Sequence, residues 1–487
     1  MPQRSELLIG LDVGAARIEA VAFGPDGDQL GRAAVSLQGE TAKGGAVEQE
    51  VGETWRVAAL ALRRLAQAVP HLRARTVALA ITGSADGTWL IDEDGDPVGP
   101  AWLPFDRRAE PVVRSWRQRG VAARVGAITG RRLEPAMRSA QLAWLARRRP
   151  EVLDRAATAF AAKDGIHFLC TGARATDAAG AAATFGDWRT GAYDGCVLEL
   201  LGLNDLARLL PEIVDGARQL RALGAAAAAA TGLAAGTPVV LAPVDTVAIA
   251  LALGLGEPDA DVSATLFGAT NRHMRVGADP AAAEALAEEV TILPLAPRGR
   301  WLAVLEQSGA TNVDWLLDAA EQLLLDAGLI GLPRDDLRAL LERRAAEAMP
   351  SGLSYRPFAG ADDAAFHGLS ARTTFYDLLR AVHDGLALAA RDAYATLGLQ
   401  PRQVRIAGAG ALASRCLAAS LEAPLFTLEC EAPAAAGAAL VAAVSLGQYR
   451  DVAEAGRAWI EPRLRAVEHT GPKGASRLAQ RAVTAPS

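Results

Sequence analysis

Gly236–Gly256 reads GTPVVLAPVDTVAIALALGLG, and its reading decides the fold. An apolar run, Pro238 to Ala242, passes through a Pro-Val turn to a single acid, Asp245, and then into an alanine-rich segment of helical character. A short apolar run bounded by Gly and Pro is a strand signal, and the segment after Asp245 is a helix signal. The lone carboxylate therefore stands where a strand ends and a helix begins, with its side chain aimed into a cleft. Two readings follow. Asp245 is an N-cap, accepting orphan backbone N–H groups, or it is a general base. The rest of the chain has to decide between them.

Working outward, 487 residues are long for one core and predict two domains of roughly 200–250 residues. The composition is globular, 51% apolar and 22% charged with a formal charge of −6. Lys and Arg do not cluster as a nucleic-acid footprint requires; Arg147–Arg149, Arg343 and Arg344 follow helical patterns with acids nearby and read as solvated faces. Cys170, Cys196, Cys416 and Cys430 lack CxxC spacing, so neither a zinc site nor a disulfide framework is indicated. MPQRSELLIG has no apolar signal-peptide core, and the run Ala225 to Ala230 is too short to span a bilayer. The expectation is a soluble cytoplasmic protein, with no nucleic-acid or membrane partner.

Leu7 to Gly14 (LLIGLDVG) alternates with period two, the mark of a strand. The pattern resumes at Ile18 to Phe23, PDGD turns the chain, and Leu30 to Leu37 reads as a third strand. A strand–glycine–strand hairpin with Asp12 before its turn suits a nucleotide's phosphates, because turn N–H groups bind oxygens and a carboxylate holds Mg²⁺ through water. An ordinary β-hairpin reads the same way. The second half supplies a hairpin of the same build, ATLFGATNRHMRV (264–276), with Gly268 and Thr270 at its turn. Two such hairpins, one opening each half, are what a duplicated fold shows.

Between them, residues 81–110 form strand, glycine turn, strand and a loop carrying Trp102, Asp106, Arg107 and Arg108. Such a loop suits a polyol, which needs paired hydrogen bonds and an apolar face, although an Asp–Arg surface pair looks alike. His167 and Cys170 sit in an apolar run and read as core; Trp144 has helical spacing and reads as packing. Residues 353–398 give a strand, a loop and a long amphipathic helix from near Thr373. Residues 404–447 give strand, Gly-Ala-Gly turn, helix, short strand and alanine-rich helix. Small residues at Gly408–Ala411 and Ala434–Gly437 allow a flat adenosine ring to approach, or helices to pack closely. From Asp451 the chain reads as a loose tail.

From residue 7 to about 450 the order of motifs resembles the FGGY carbohydrate kinases. The carriers are Asp12-Val13-Gly14; Val47-Glu48-Gln49 with Trp55; Pro100-Ala101 with Asp106-Arg107-Arg108-Ala109; and Lys163-Asp164, Thr171-Gly172 and Thr176-Asp177. Thr231 to Val239 matches the segment before the family's catalytic aspartate, and Phe366-His367-Gly368-Leu369 with Asp377-Leu378 and Ala381 to Asp384 matches the C-terminal signature. SGATNVDWLLD (308–318) is similar to the erythritol and L-xylulose kinase branch.

The resemblance implies an α/β chain of two actin-like (ribonuclease H-like) ATPase domains around a hinged central cleft. Residues 1–248 and 249–450 would be the N- and C-terminal domains and 451–487 a tail. It implies phosphoryl transfer from ATP with Mg²⁺ to a small sugar or polyol of the ketose, pentulose or tetritol class. Asp245 would be the general base, and Asp12 and Asp245 the metal carboxylates. Gly14, Ala15, Ala16, Gly268, Ala269 and Thr270 would hold the phosphates, and Gly408, Ala409, Gly410 and Ala411 the adenosine. Ser84, Ala85, Asp106, Arg107 and Thr246 would join Asp245 on the acceptor. A homodimer is the one macromolecular assembly allowed for.

The chain departs from the family where the phosphate turn normally carries hydroxyls and a following cation: Ala15, Ala16 and Glu19 stand there. Arg17, two residues earlier on the same strand face, is the candidate substitute cation. Ala269, Pro104 and Ala409 are further departures. An active kinase is therefore set against a weakened homologue that binds a sugar or nucleotide as a sensor or partner protein.

Overall fold

The period-two segments fold as strands β1 (Leu7–Val13), β2 (Arg17–Phe23) and β3 (Gln29–Ser36). The computed structural model describes residues 6–37, 40–41, 45–257, 262–286, 288–296, 299–329, 332–348, 352–358, 364–398 and 401–468. Leu7, Ile9, Leu11 and Val13 of β1 and Ile18, Ala20 and Ala22 of β2 share one core with Ala58, Ala61, Leu62 and Leu65 of helix α1 (Val51–Ala68). That helix buries them at a spacing of three and four, the stripe an amphipathic helix lays on a sheet. Strand β4 (Thr76–Gly83) runs parallel to β1. Helices α2 (Arg138–Arg148) and α3 (Ala162–Thr171) follow. Strand β5 (Pro238–Leu241) is parallel to β4 and leads into helix α4 (Asp245–Ala252). The sheet order is an edge strand Arg221–Ala222, then β5, β4, β1, β2 and β3.

The same build recurs in the second half. Strand β6 (Val262–Leu266) pairs antiparallel with β7 (Thr270–Gly277) and parallel with β8 (Gln403–Ala407), beyond which lies β9 (Leu425–Leu428). The long helix α5 (Phe375–Thr396) starts at a capping box in which Thr374 Oγ1 accepts from Asp377 N and Asp377 Oδ2 accepts from Thr374 N. It buries Leu379, Val382, Leu386 and Tyr394, and α6 (Ala411–Ser420) joins β8 to β9.

Two compact units result: Met1–Pro258, Val276–Ala303 and Ala432–Pro462 form the first, and Asp259–Arg275, Val304–Glu431 and Arg463–Ser487 the second. The chain thus re-enters the first unit, which the expected boundaries at 248 and 450 do not provide for. Helix α7 (Pro433–Ser445) explains the return. A Cβ on Gly10 of β1 would lie 2.0 Å from Ala435 O, and one on Gly437 would lie 1.8 Å from Ala248 O of α4. Ala434–Gly437 therefore seat α7 against β1 and α4, the close-packing alternative of the two readings of this stretch.

The loose tail is also corrected. Helix α8 (Val452–Ile460) buries Val452, Ala453, Ala455, Trp459 and Ile460. Trp459 stacks on Phe23 at 5.9 Å, and its Nε1 donates to Pro25 O at 2.9 Å. Leu464–Ala466 then pairs with β9, and the rest of the expected tail lies outside the described residues. Among the described residues no helix is long and apolar enough to cross a membrane.

Candidate functional site

Three neighbouring parallel strands of the first unit, β1, β4 and β5, end at one edge of their sheet. Asp12 pairs with Thr82 and Val13 with Gly83, while Leu241 pairs with Ile81 and Thr82 Oγ1 donates to Pro243 O at 2.6 Å. The turn at Gly14–Ala16, the loop Ser84–Gly87 and Asp245 therefore leave from adjacent strand ends. The carboxyl ends of parallel strands are where open α/β sheets bind ligands.

At the turn, Gly14 N donates to Arg17 O at 3.1 Å, and Ala16 and Arg17 are exposed. Glu19 lies opposite Asp12 in the β1–β2 register and is buried, at 4% exposure. Its carboxylate accepts from Arg32 Nε, and more loosely from Arg17 Nη2 at 3.5 Å. The Arg17 side chain is 54% exposed. Arg32 is the closer counter-ion of Glu19, and Arg17 is held only at the limit of a hydrogen bond.

Gly14, Ala15, Ser84, Asp86, Trp102 and Pro104 line one small pocket of about 20 Å³. Asp86 forms a two-point pair with Arg131, Nη1 to Oδ1 at 3.0 Å and Nη2 to Oδ2 at 3.1 Å. Sequence reasoning missed both residues; the acid framed by glycines in Gly83-Ser84-Ala85-Asp86-Gly87 was the available signal. Ala85 contributes its carbonyl, which accepts from Arg138 Nη2 at 3.1 Å.

Asp106 and Arg107 do not join that pocket. Asp106 is 1% exposed, and its oxygens accept from Val47 N at 2.9 Å, Arg108 N at 3.0 Å and Arg108 Nη2 at 2.6 Å. The Arg108 bonds close the loop on itself and the Val47 bond ties it to the strand Val47–Gln49, so Asp106 shapes the wall and the wall itself is Trp102 and Pro104. Arg107 is exposed, with its N–H on Gly45 O at 2.8 Å. The Arg108 guanidinium lies 3.3 Å from the Trp102 ring centre, and Trp144 packs on Trp102 at 5.2 Å, as its spacing led us to expect.

Asp245 is the first residue of α4, and Val244 takes the N-cap position without a side-chain bond. Asp245 Oδ1 accepts from Thr246 N at 2.6 Å and Thr246 Oγ1 at 3.1 Å. The positive end of the helix favours a carboxylate here. Asp245 is half-buried.

Lys163 is the centre of a buried charge cluster. Lys163 Nζ is 2.7 Å from both Asp164 Oδ1 and Asp177 Oδ2, and both Lys163 and Asp164 are fully buried. Burial alone would lower the Lys163 pKa, but attraction to Asp164 and Asp177 raises it. Asp177 also caps the short helix Ala178–Ala182 through Ala179 N and Gly180 N. His167 and Cys170 are buried as expected, and burial drives the His167 pKa down to about 3 and that of Cys170 up to about 12.

In the second unit the turn Gly268–Thr270 and the loop Gly408–Gly410 leave from the adjacent parallel strands β6 and β8, where Leu266 pairs with Ala407. Gly309 N donates to Ala269 O at 2.9 Å and Ala310 N to Gly268 O at 2.7 Å. Gly408 has a φ of +77°, and a Cβ there would lie 2.4 Å from Phe267 O, so glycine is required. Gly410 is the N-cap of α6, and Gly408, Gly410 and Ala411 are exposed. An exposed glycine turn leading into a helix start leaves room for a nucleotide's flat ring to approach the backbone. Among the described residues no three His, Cys, Asp or Glu side chains cluster as an all-protein metal site. A Mg²⁺ ion carried by a nucleotide needs only one or two carboxylates.

Residues 7–252 match the N-terminal domain of the FGGY family of carbohydrate kinases, and residues 264–446 match its C-terminal domain. The erythritol kinase of Brucella abortus (strain 2308) is 38% identical over 96% of this chain and 93% of its own length. The L-xylulose/3-keto-L-gulonate kinase of Escherichia coli (strain K12) is 27% identical over 51% of this chain and 50% of its own. A xylulose kinase from Rhodospirillum rubrum has a similar fold, with a TM-score of 0.83 at 24% identity over 98% of this chain and 96% of that one. The Plasmodium falciparum glycerol kinase structure with ADP gives 0.81 at 13% identity over 98% and 97%.

Proposed function

The chain belongs to the FGGY family of carbohydrate kinases and so is a phosphotransferase acting on a small sugar or polyol; from that premise we propose that it phosphorylates a four-carbon tetritol of the erythritol type, with pentuloses as the next acceptor class. The observation that carries the reading is the placing of Asp12, the Ser84–Gly87 loop and Asp245 at the carboxyl ends of three adjacent parallel strands. Similarity to an erythritol kinase over nearly the whole chain supports the tetritol.

In this reading Asp245 accepts the proton of the attacking hydroxyl and holds that oxygen in line, with Thr246, Ser84 and Ala85 beside the acceptor. The hydroxyl oxygen bonds to the γ-phosphorus as the bond to the β-phosphate oxygen breaks, and the proton passes to Asp245. Bound MgATP supplies the phosphoryl group and much of its charge neutralisation. Asp12 and Asp245 are the carboxylates that would hold the metal. The turns Gly14–Ala16 and Gly268–Thr270 would take phosphate oxygens, Gly408–Ala411 the adenosine, and Arg17 the charge developing on the transferred group.

Acceptor-stimulated ADP release across C4–C6 polyols and ketoses tests the proposal, with the tetritol expected to give the highest kcat/KM. A second reading, a sugar- or nucleotide-binding sensor, is favoured by Ala15, Ala16 and the buried Glu19. Binding of nucleotide without acceptor-stimulated turnover would establish that reading and sink the first.

A further inference from the structure

Helix α2 carries RSAQLAW at Arg138–Trp144, and its polar side chains point inward. Arg138 is 3% exposed and Gln141 fully buried. Burying a guanidinium is costly, and Lys and Arg are almost never enclosed without a purpose or a partner. Among the described residues the Arg138 side chain makes two bonds: Nη2 donates to Ala85 O at 3.1 Å and Nη1 to Thr184 Oγ1 at 3.2 Å. Its Nε has no partner among the described residues. Burial pulls its pKa down, while Asp164, Tyr193, Asp86 and Asp177 push it up.

One turn further along the same face, Gln141 joins the two ends of the acceptor region. Its Oε1 accepts from Thr88 Oγ1 at 2.7 Å and its Nε2 donates to Leu103 O at 3.2 Å. Gly87 N, between Ala85 and Thr88, donates to Ala136 O at 3.0 Å, just before the helix. Positions 138 and 141 share a helix face. The start of α2 therefore fixes the Ala85–Thr88 loop at three points and the Trp102–Pro104 wall at one.

We propose that Arg138 is a positioning residue that sets acceptor specificity: through the Ala85 carbonyl it fixes where Ser84 and Asp86 present their side chains to the pocket. This rests on the kinase reading above. The loop leaves its strand at Gly83, which pairs with Val13, holds Asp86 N on Ser84 Oγ at 3.2 Å, and turns at Gly87 with a φ of +88°. The tie nearest to Ser84 is a charged donor wedged between the loop and Thr184, which receives Nη1 and itself donates to Gly180 O at 3.2 Å in the short helix capped by Asp177. A guanidinium bridges both sites because its donors diverge in a rigid fork; an ammonium has the charge without the fork.

The test uses the full chain and Michaelis parameters for the tetritol, a pentulose and MgATP, in Arg138→Met and Arg138→Lys, with Tm recorded for each. Arg138→Met is expected to raise the tetritol KM about tenfold, to leave the MgATP KM within about twofold, and to reorder the tetritol and pentulose kcat/KM values. Arg138→Lys is expected to fall between it and the wild type. If acceptor and MgATP parameters move together, or only Tm moves, Arg138 is structural and the inference is overturned. Should the Met variant fail to fold, the Lys variant decides by the same split. A wild type without acceptor-dependent turnover would defeat the kinase reading and this inference with it; a wild type that turns over while both variants keep its acceptor ranking defeats the inference alone.

Discussion

Asp12 and Glu19 stand directly opposite one another across the first hairpin, two carboxylates on one face of an antiparallel pair. Like charges so placed repel, and the pair persists because Arg32 and Arg17 flank Glu19. The two cations are not equivalent. Arg32 reaches Glu19 from the neighbouring strand with a side chain that is 29% exposed, whereas Arg17 is 54% exposed and meets Glu19 at 3.5 Å. Arg32 thus neutralises Glu19, and Arg17 is left able to swing toward an anion.

Arg17→Ala is accordingly expected to lower kcat about tenfold to a hundredfold and leave the acceptor KM within about twofold, since the contact strengthens as charge moves to the transferred phosphoryl group. Arg32→Ala should act differently. It strands a buried carboxylate and should cost about 1–3 kcal/mol of stability, discounted because Arg32 is partly solvated. Steady-state kinetics and urea unfolding of the two variants separate the roles. An unchanged kcat in Arg17→Ala would leave the phosphate side without its proposed cation.

For Asp245 the choice between cap and base can be made with one substitution. Asn keeps a carbonyl oxygen for Thr246 N, which Asp245 Oδ1 now accepts at 2.6 Å, so the start of α4 should survive. It cannot take a proton. Asp245→Asn should therefore lose about 10³-fold in turnover while the affinity for ADP, read by calorimetry, stays within about twofold. A variant that melts much earlier yet keeps its rate per folded molecule would show Asp245 to be only part of the helix start.

Much of this was legible in the sequence, because period-two alternation and glycine turns are local signals. They located β1, β2, β3 and both hairpins, and the apolar run before Asp245 placed it at a strand-to-helix junction. What escaped depends on distant pairing. Asp86 meets Arg131 across 45 positions and Arg138 meets Ala85 across 53, with no periodicity to announce either. Asp106 misled because an Asp beside Arg reads alike whether it binds a polyol or folds its own loop. Ala434–Gly437 stayed open between a nucleotide ring and a neighbouring helix because small residues admit both, and the contact with Ala248 favours the helix. Helix α8 was overlooked although Val452, Ala455, Trp459 and Ile460 follow helical spacing, because nine residues give a weak periodic signal.

The packing role of α7 has its own test. A methyl on Gly437 would meet the backbone oxygen of Ala248, which cannot turn aside as a side chain could. Gly437→Ala should cost about 3 kcal/mol, the upper end of overpacking effects, and leave the MgATP KM of the folded fraction unaltered. Thermal unfolding and kinetics read both. An unshifted Tm with a raised MgATP KM would return this stretch to the nucleotide.

Acid should weaken the two units unequally. Burial lowers the pKa of His167 to about 3, helped by the charges of Lys163 and Arg221. Burial likewise lowers His273 to about 4, against the opposing pull of Gln307, and His383 to about 4, aided by Arg338 and Arg380. An unfolded histidine titrates near ~6.5. Between there and the folded values the unfolded chain binds protons that the folded chain refuses, so stability is full above about pH 6.5 and falls as pH drops. Each histidine contributes a slope of about 1.4 kcal/mol per pH unit once below its unfolded pKa. His273 and His383 belong to the second unit and His167 to the first, so the second unit's unfolding midpoint should fall about twice as steeply between about pH 6 and pH 5, before carboxylates titrate. Urea unfolding with a probe in each unit measures this, and His383→Gln should remove roughly one proton's worth of the slope. Glu342 faces His383 at 4.0 Å and is the group that could hold it charged. A slope unchanged in His383→Gln would mean that His383 takes up its proton in the folded state beside Glu342, against the burial that sets it low.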